Sequence, residues 1–277
     1  DAEPEFLEVY PSPEEVQINP GFSLGVSRQL SEKIRLGVWL ARAQRSGSLT
    51  ERFINYFPVG QDPFEMLGNP QLTPEVNHQL DLSFAWMPNQ AELKVDVFVS
   101  YLQDAISSII DTSLQARLPM SPGVRQFINI DEAFKTGFEL NWTQPLGQHI
   151  QHQLSLAYTY AQDLEREDPL PEIAPLDIRY TIRAQLLKGK LHPEATLRHV
   201  VEQNRISEEF GETASPAFTL LDVLLAYQLS ESLRVNVAAN NLLDVAYYEH
   251  LNRSVRGTQQ PIFAPGRNLR VSFNWVF

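Results

Sequence analysis

The sequence contains no cysteine among its 277 residues. This absence excludes disulfide scaffolds, thiolate metal sites, iron–sulfur clusters and cysteine nucleophiles. Basic residues are also scarce, with 22 Lys and Arg against 34 Asp and Glu, which gives a formal net charge of −12. A chain this acidic is poorly suited to nucleic acid, because phosphate binding requires clustered lysine and arginine. We therefore expect no nucleic-acid partner.

Long hydrophobic runs are missing as well. No apolar stretch approaches the roughly 18 residues that a transmembrane helix needs. The first residues, Asp1-Ala2-Glu3-Pro4, lack the basic and apolar regions of a secretory signal peptide. These absences leave either a cytosolic protein or a chain whose N-terminal segment has been removed.

What the sequence does contain is strict alternation of apolar and polar residues. In the last segment the apolar positions are Leu269, Val271, Phe273, Trp275 and Phe277. A period of two predicts β-strands with two different faces. The pattern predicts about eleven strands, near residues 20–29, 34–44, 77–87, 92–105, 126–142, 149–163, 176–188, 191–203, 217–228, 232–243 and 267–277. Most of them reach the roughly 9–11 residues that a tilted strand needs to cross a bilayer, whereas ordinary soluble strands have about five or six.

The connections between the predicted strands alternate between short and long. The long ones cover residues 45–76, 106–125, 164–175, 204–216 and 244–266. Outer-membrane barrels have short periplasmic turns and long extracellular loops. The sequence therefore predicts an all-β protein, a transmembrane antiparallel β-barrel in the outer membrane of a Gram-negative bacterium. A soluble all-β sandwich is the alternative.

Aromatic residues cluster near the predicted strand ends, at Trp86, Tyr101, Trp142, Tyr158, Tyr160, Tyr227 and Trp275. This placement is typical of interfacial girdles, where an amphipathic ring lies at the level of the lipid headgroups. Trp39 falls in the middle of a predicted strand and does not fit the girdle.

The number of strands predicts that the barrel is larger than this chain. If the short turns are periplasmic, the first predicted strand begins outside and the last ends at Phe277 in the periplasm. Single-chain bacterial barrels have an even strand count and both termini in the periplasm. We expect the C-terminal part of a larger barrel. A twelve-stranded barrel with a further strand within 5–16 stays open.

Several short motifs occur at the ends of the long loops and within the strands. They are Leu49-Thr50-Glu51-Arg52-Phe53, Asn69-Pro70-Gln71-Leu72-Thr73-Pro74-Glu75, Gly137-Phe138-Glu139, Asn240-Asn241-Leu242-Leu243-Asp244 followed by Tyr247-Tyr248, and Pro265-Gly266-Arg267. In this order and spacing the sequence resembles the C-terminal half of TonB-dependent outer-membrane receptors, over roughly residues 20–277. The ordered set is specific, although each motif alone is weak.

The resemblance implies active uptake of a scarce ligand, most often a ferric siderophore or another metal complex. Such receptors have a 22-stranded barrel and an N-terminal plug, and TonB pulls on a short box before the plug. We expect residues 1–277 to form the C-terminal portion of the barrel domain, without the plug and the TonB box. The TonB complex would then act through the missing N-terminal part, and the barrel-assembly machinery would recognise Phe277. A small passive pore or an adhesin-like barrel is the alternative function.

Aromatic and apolar residues in the long loops are the predicted ligand contacts. The first choice is Tyr56, Phe57, Phe64 and Met66 in the loop 45–76, and the second is Tyr247, Tyr248 and His250 in the last long loop. A small-ligand site needs apolar anchors with a few polar groups. Packing of the loops on one another explains the first set equally well, and for His250 exposure to solvent is the more ordinary explanation.

Other chemistry is not indicated. The six histidines form no metal-spaced cluster, and His199 with Ser207 lacks a nucleophile elbow. We therefore expect no enzyme activity, no catalytic residue, no resident metal and no cofactor. The acidic runs Glu165-Arg166-Glu167-Asp168 and Glu208-Glu209 predict a solvated rim that bridges divalent ions to lipopolysaccharide, beside the outer-membrane lipid.

Overall fold

The computed structural model describes residues 10, 16–58, 62–252 and 260–277, and the backbone of 254–255. Strands dominate these residues. They are β1 (Phe22–Ser31), β2 (Ile34–Arg45), β3 (Asn55–Phe57), β4 (Glu65–Leu67), β5 (Glu75–Trp86), β6 (Glu92–Ile110), β7 (Val124–Pro145), β8 (Ile150–Asp163), β9 (Asp177–Ala184), β10 (Leu191–Val200), β11 (Phe218–Gln228), β12 (Leu233–Asn240), β13 (Ser254–Val255), β14 (Gln260–Pro261) and β15 (Asn268–Trp275). A short helix α1 (Leu49–Phe53) and a 3-10 turn (Leu187–Gly189) accompany them. The weak alternation over 5–16 lies outside the described residues, apart from Tyr10 and Val16.

Eleven strands form one continuous antiparallel sheet in the order β1-β2-β5-β6-β7-β8-β9-β10-β11-β12-β15. Each of the eleven strands predicted from alternation is present, and each long strand pairs with the next one along the chain. This confirms the all-β, antiparallel fold class. Within the described residues the sheet is open, with β1 at one edge and β15 at the other.

The ladder register sorts the sheet into an apolar and a polar face. Across five strands one row joins Val38, Leu82, Val97, Phe138 and Tyr158. The neighbouring row, on the opposite face, joins Ser83, Asp96, Glu139 and Ala157. Because side chains alternate between faces along every strand, this one register keeps the apolar set together over the whole sheet.

The last strand follows the same rule. Leu269, Val271, Phe273 and Trp275 pair with the apolar-face positions of β12 and are 56–73% exposed. They lie on the outer surface of a single layer, as predicted, and not between two sheets.

Trp39 lies on the polar face, which explains why it does not fit the girdle. Its ring covers Gly25 and Gly37, and a Cβ added to Gly25 would lie 1.9 Å from Trp39 Cδ1. The two glycines provide the flat surface that this ring needs.

Several strand ends differ from those predicted. β6 and β7 continue to Ile110 and from Val124, so this hairpin extends beyond its neighbours. β9 ends at Ala184, because residues 185–190 turn through positive φ angles at Leu187 and Lys188. β10 ends at Val200, where the chain leaves the ladder.

The loop 45–76 carries regular structure that its sequence does not indicate. Ser48 caps α1 by accepting a hydrogen bond from the amide of Glu51, and the Glu51 carboxylate accepts one from the amide of Ser48. Farther along, β4 pairs in parallel with the first residues of β7, with Glu65 opposite Val124. This pairing fixes the loop against the long hairpin. No described helix is long and apolar enough to span a bilayer.

Candidate functional site

All five long connections leave the same end of the sheet, and polar contacts tie them to one another. Asp62, from the β2–β5 connection, pairs with Arg125 of β7. Glu172, from the β8–β9 connection, donates its amide to Glu212 in the β10–β11 connection. His250, from the connection after β12, lies 3.1 Å from Ser215. The loops therefore form one assembly over this end of the sheet.

Arg125 is the buried centre of this assembly. Its guanidinium Nη1 donates to Asp62 Oδ2 at 2.8 Å, and its Nε donates to the carbonyl oxygen of Phe210 at 2.8 Å. The rings of Phe64 and Phe210 lie 4.6 Å and 3.9 Å from its Cζ atom. Both charged side chains are almost fully buried, at 4% and 1% exposure. A desolvated arginine in such a position is stabilised by its carboxylate partner and by the faces of the two rings.

Glu65 of β4 holds the β6–β7 connection in place by hydrogen bonds to its backbone. Its side chain is fully buried. The amides of Arg117 and Leu118 donate to its carboxylate at 3.0 Å and 2.7 Å, and the amide of Glu65 itself donates to the Ser121 hydroxyl. An ionised carboxylate satisfies several backbone N–H groups at once, so one side chain holds the course of this connection.

Glu212 joins three connections through one carboxylate. It accepts the amide of Glu172 at 2.6 Å and the amide of Ser207 at 3.0 Å, and His250 Nε2 lies 3.7 Å from it. Burial alone would raise the pKa of Glu212, but the nearby His250 side chain and the hydrogen bonds from the two amides outweigh burial and hold this pKa below its usual value.

The motif at the end of β12 organises the start of the last long connection. Asn241 Oδ1 accepts the amide of Val245 at 2.9 Å, and Asp244 Oδ1 accepts the amide of Arg267 at 2.9 Å. Asn240 bonds across the ladder to Asn268 at 3.1 Å. These contacts confirm that the motif residues build the barrel wall and the loop start.

Two cavities lie among the loops. The smaller, of about 140 Å³, is lined by Phe64, Arg125, Phe210, Glu212, Tyr248 and His250, among others. The larger, of about 520 Å³, lies between the loops and the polar face of β6 and β7, and Met66 is part of its wall. The larger volume falls in the range of small-molecule sites, about 300–1,000 Å³.

Comparison with known proteins decides the family. The family model described as TonB dependent receptor-like, beta-barrel, matches residues 16–242. The chain belongs to this family. Its members are transporters of the Gram-negative outer membrane and not enzymes. The polar face of this receptor sheet therefore lines the barrel lumen, and the long connections lie on the extracellular side.

Individual relatives agree with the family. The chain is 24% identical over 271 residues to the heme/hemopexin utilization protein C of Haemophilus influenzae, with 85% of this chain and 35% of the relative covered. This chain thus spans about a third of the length of the curated relatives that it matches.

Solved receptors share the fold. The copper transporter OprC superposes with a TM-score of 0.78 at 22% identity, with 92% of this chain and 39% of that one covered. The ferric enterobactin receptor PfeA from Pseudomonas aeruginosa gives a TM-score of 0.68 at 18% identity over 93% of this chain and 40% of its own.

The receptor structure brings together three of the residues predicted to contact ligand. Phe64, Tyr248 and His250 line the smaller cavity, whereas Met66 lines the larger one. The expectation that His250 is solvated is wrong, because its side chain is 3% exposed beside Glu212 and Ser215. Burial of Phe64 at 6% shows that it contributes to loop packing.

The other three predicted contacts lie outside the smaller cavity. Tyr56 has a positive φ of 50°, and its ring lies under the Arg117 guanidinium, 3.7 Å away. Phe57 is 68% exposed. Tyr247 packs against Phe218 in a tilted arrangement, with ring centroids 4.6 Å apart.

Sequence reasoning missed the charged residues that hold the loops together, namely Asp62, Glu65, Arg125 and Glu212. Asp62 and Glu65 lie on either side of Phe64 in the loop 45–76, which was predicted to contact ligand because it is rich in aromatic residues. Nothing in the sequence pairs Asp62 with Arg125, 63 positions away. The histidine and serine considered for hydrolysis have other partners, since His199 bonds Thr219 and Ser207 donates to Asp168.

Acidification should loosen the contact at Glu212. Because its folded-state pKa is lowered, its contribution to loop stability is present above the unfolded value, about 4.3, and is lost as the pH falls through the folded value. We expect hydrogen-exchange protection of the amides of Glu172 and Ser207 to fall below pH 4 in the wild type.

The Glu212→Gln variant provides the control for this pH effect. At pH 7 it should already have lost about 1–3 kcal/mol of local stability, since it lacks the charged acceptor. Its protection should then change little between pH 7 and pH 4. Equal pH dependence in both proteins would assign the effect to another group in this assembly.

Proposed function

We propose that this chain is the C-terminal barrel portion of a receptor that takes up a scarce metal complex, a ferric siderophore or a related chelate, by TonB-dependent transport. The observation that carries the proposal is the loop assembly, in which buried pairs such as Arg125 and Asp62 hold long connections over the mouth of a polar lumen. Such an assembly gives a receptor fixed walls for a ligand that arrives from outside.

The printed names of similar proteins support the same ligand class. They name heme, copper and ferric enterobactin, and each of these is a metal or a metal complex. We propose that this receptor, too, binds a metal complex. TonB would act through the part of the receptor that precedes the barrel, and the ligand would leave the loops through the lumen.

Uptake by cells tests this function. A strain that lacks the gene should lose accumulation of one radiolabelled metal complex from a panel of ferric hydroxamates, ferric catecholates, haem and copper. Accumulation should return with the cloned receptor and should stop when a protonophore collapses the proton gradient that energises TonB. Uptake of the complex that continues without the gradient would favour a passive pore. Attachment of the bacteria to other cells, without uptake of any complex, would favour an adhesin.

Tyr56 and Phe57 remain the first proposed ligand contacts, because they lie in the longest loop and Phe57 presents an exposed ring. We expect the double change Tyr56→Ala and Phe57→Ala to weaken ligand binding about tenfold or more, as loss of aromatic anchors does at binding sites. Membrane insertion should be unimpaired, since neither side chain belongs to the membrane-spanning ladder. The measurement is ligand affinity on intact cells that carry the full-length receptor, normalised to surface abundance.

Leu49 provides the matched control in the same loop. It is apolar and 80% exposed, and it is not among the proposed contacts. Leu49→Ala should leave affinity unchanged. Unchanged affinity in the Tyr56 and Phe57 variant at normal abundance would assign these aromatic residues to loop packing.

A further inference from the structure

Four of the five lysines of this chain lie in or beside the short connections, at the end of the sheet opposite the loop assembly. They are Lys33, Lys94, Lys188 and Lys190. The short connections of an outer-membrane barrel lie on the periplasmic side. A chain whose net charge is −12 therefore carries most of its lysines at one rim, on the periplasmic side of the membrane.

The turn between β9 and β10, residues 185–190, places two of these lysines next to two exposed leucines. Leu186 and Leu187 are 39% and 62% exposed, and Lys188 and Lys190 are exposed as well. Among the residues that the structure describes, neither ammonium group has a hydrogen-bond or ion-pair partner. Residues 184–193 contain no Asp or Glu, and the two neighbouring turns, 146–149 and 229–232, contain Glu231 alone. The two lysines thus carry more positive charge than the surrounding turns balance.

The strand register places this turn at the surface that faces lipid. Leu186 bridges to Leu191, and Leu191 lies opposite Tyr227. The same row continues through Val235 to Phe273 on the outer surface. Tyr227 is one of the aromatic residues near the strand ends, and such rings lie at the level of the lipid headgroups. The two lysines therefore follow directly where the apolar face ends, a position from which long lysine side chains reach headgroups.

The backbone of this turn has an unusual conformation. Leu187, Lys188 and Gly189 have successive φ angles of 52°, 57° and 84°. Residues with a Cβ are disfavoured in this left-handed region, and a bulky leucine is rare there. Two other short turns have Asn89 and Gly147 at their left-handed positions, and these residue types adopt the region more readily. Turn geometry alone does not explain why an exposed leucine occupies such a position.

We propose that the β9–β10 turn is a binding site for an anionic phospholipid of the inner leaflet of the outer membrane. The ammonium groups of Lys188 and Lys190 donate hydrogen bonds to the phosphate and headgroup oxygens, as lysines near an anionic membrane surface do. Leu186 and Leu187 lie among the acyl chains, where their exposed apolar surface is removed from water. The site goes beyond the transport function, since it does not depend on which ligand is carried.

Two lipids with the same acyl chains test the proposal. Dioleoyl phosphatidylglycerol is anionic, whereas dioleoyl phosphatidylcholine has the phosphate but no net charge. Native mass spectrometry of the full receptor, purified in detergent, measures the affinity for single lipid molecules. We expect the double change Lys188→Gln and Lys190→Gln to weaken binding of phosphatidylglycerol about tenfold or more and to leave phosphatidylcholine unchanged. The double change Lys188→Arg and Lys190→Arg should retain the affinity, because it keeps both charges.

Lys94→Gln is the matched control. Lys94 lies on the polar face of β6, opposite Asn141, and pairs with Glu92 at 3.0 Å, so its loss should not change the affinity for phosphatidylglycerol. Leu187→Gly should weaken both lipids alike, since it removes an apolar contact and still allows the left-handed backbone. Glycerol 3-phosphate at the same concentration should not displace the lipid, because it carries the charge without the chains.

Four results would overturn the proposal. In the double Gln variant these are an unchanged affinity for phosphatidylglycerol and an equal loss for both lipids. A loss as large in Lys94→Gln would show a general effect of net charge, and displacement by glycerol 3-phosphate would identify a site for free phosphate. Failure of the transport proposal is seen separately, as normal metal uptake by cells that lack the gene.

Discussion

The Arg125→Met variant should lose about 3–5 kcal/mol of local stability in the loop assembly, the largest effect that we expect from a single substitution in this chain. The change removes the cation that pairs with the buried carboxylate of Asp62, which is 1% exposed. It also removes the hydrogen bond to the carbonyl of Phe210 and the contacts with two aromatic rings. The sheet itself should still insert, since its ladder does not depend on this side chain.

Hydrogen exchange in outer membranes measures this loss. Protection should fall at Glu65, Met66 and Leu67 of β4, which pair with the first residues of β7. Lys94→Met is the control, because Lys94 and its partner Glu92 are 52% and 41% exposed, and exposed ion pairs contribute about 0–1 kcal/mol. Adding Asp62→Leu to Arg125→Met should recover much of the stability, since the buried carboxylate that faced Arg125 is then gone. A double variant as unstable as Arg125→Met would show that the ring contacts dominate.

Replacement of Glu65 should release the β6–β7 connection. In Glu65→Leu the amides of Arg117 and Leu118 lose their shared acceptor. Both hydrogen bonds are partly buried, and a hydrogen bond to a charged group contributes about 1.5–3 kcal/mol, so we expect a total loss of about 2–5 kcal/mol. The consequence is local, because the rest of β7 keeps its pairing with β6 and β8.

Limited proteolysis of intact cells detects this release. Trypsin should cleave after Arg117 far faster in Glu65→Leu than in the wild type. Glu65→Gln should be intermediate, because its amide keeps one oxygen acceptor but loses the charge. Glu92→Gln, at an exposed pair with Lys94, should cleave as the wild type does. If Glu65→Leu resists trypsin as well as the wild type does, the contact of the Arg117 guanidinium with the Tyr56 ring is sufficient to hold the connection.

The strands could be predicted because each carries its own signal. Alternation along 77–87 or 267–277 is local, and the pleat converts it directly into an apolar and a polar face. The alternation of short and long connections then indicated the pairing order, since each long strand pairs with its neighbour in sequence.

The positions of the strand ends were less predictable. β6 and β7 continue past the membrane zone, where alternation no longer distinguishes lipid from lumen.

The roles of the family motifs could also be predicted from sequence, because their contacts are made at the ends of neighbouring strands. Asn241 and Asp244 act on Val245 and on the amide of Arg267, at the end of one strand and the start of the next. Their contacts follow from turn chemistry once the hairpin is known. The loop residues differ, since aromatic content marked the loop 45–76 but could not show which way each ring points. Phe64 is buried and Phe57 is exposed, although they are only seven positions apart in the same loop.

By itself, the sequence determined the all-β class, the number and order of the long strands, the two faces and the family, because each of these depends on short-range patterns. Only the tertiary structure decided the loop assembly. The pairing of Asp62 with Arg125, the Arg117 and Leu118 amides held by Glu65, and the Glu172 amide held by Glu212 join residues that lie tens of positions apart. No periodic pattern encodes such contacts, because their energy comes from desolvated charges whose partners are chosen by how the loops fold over the barrel.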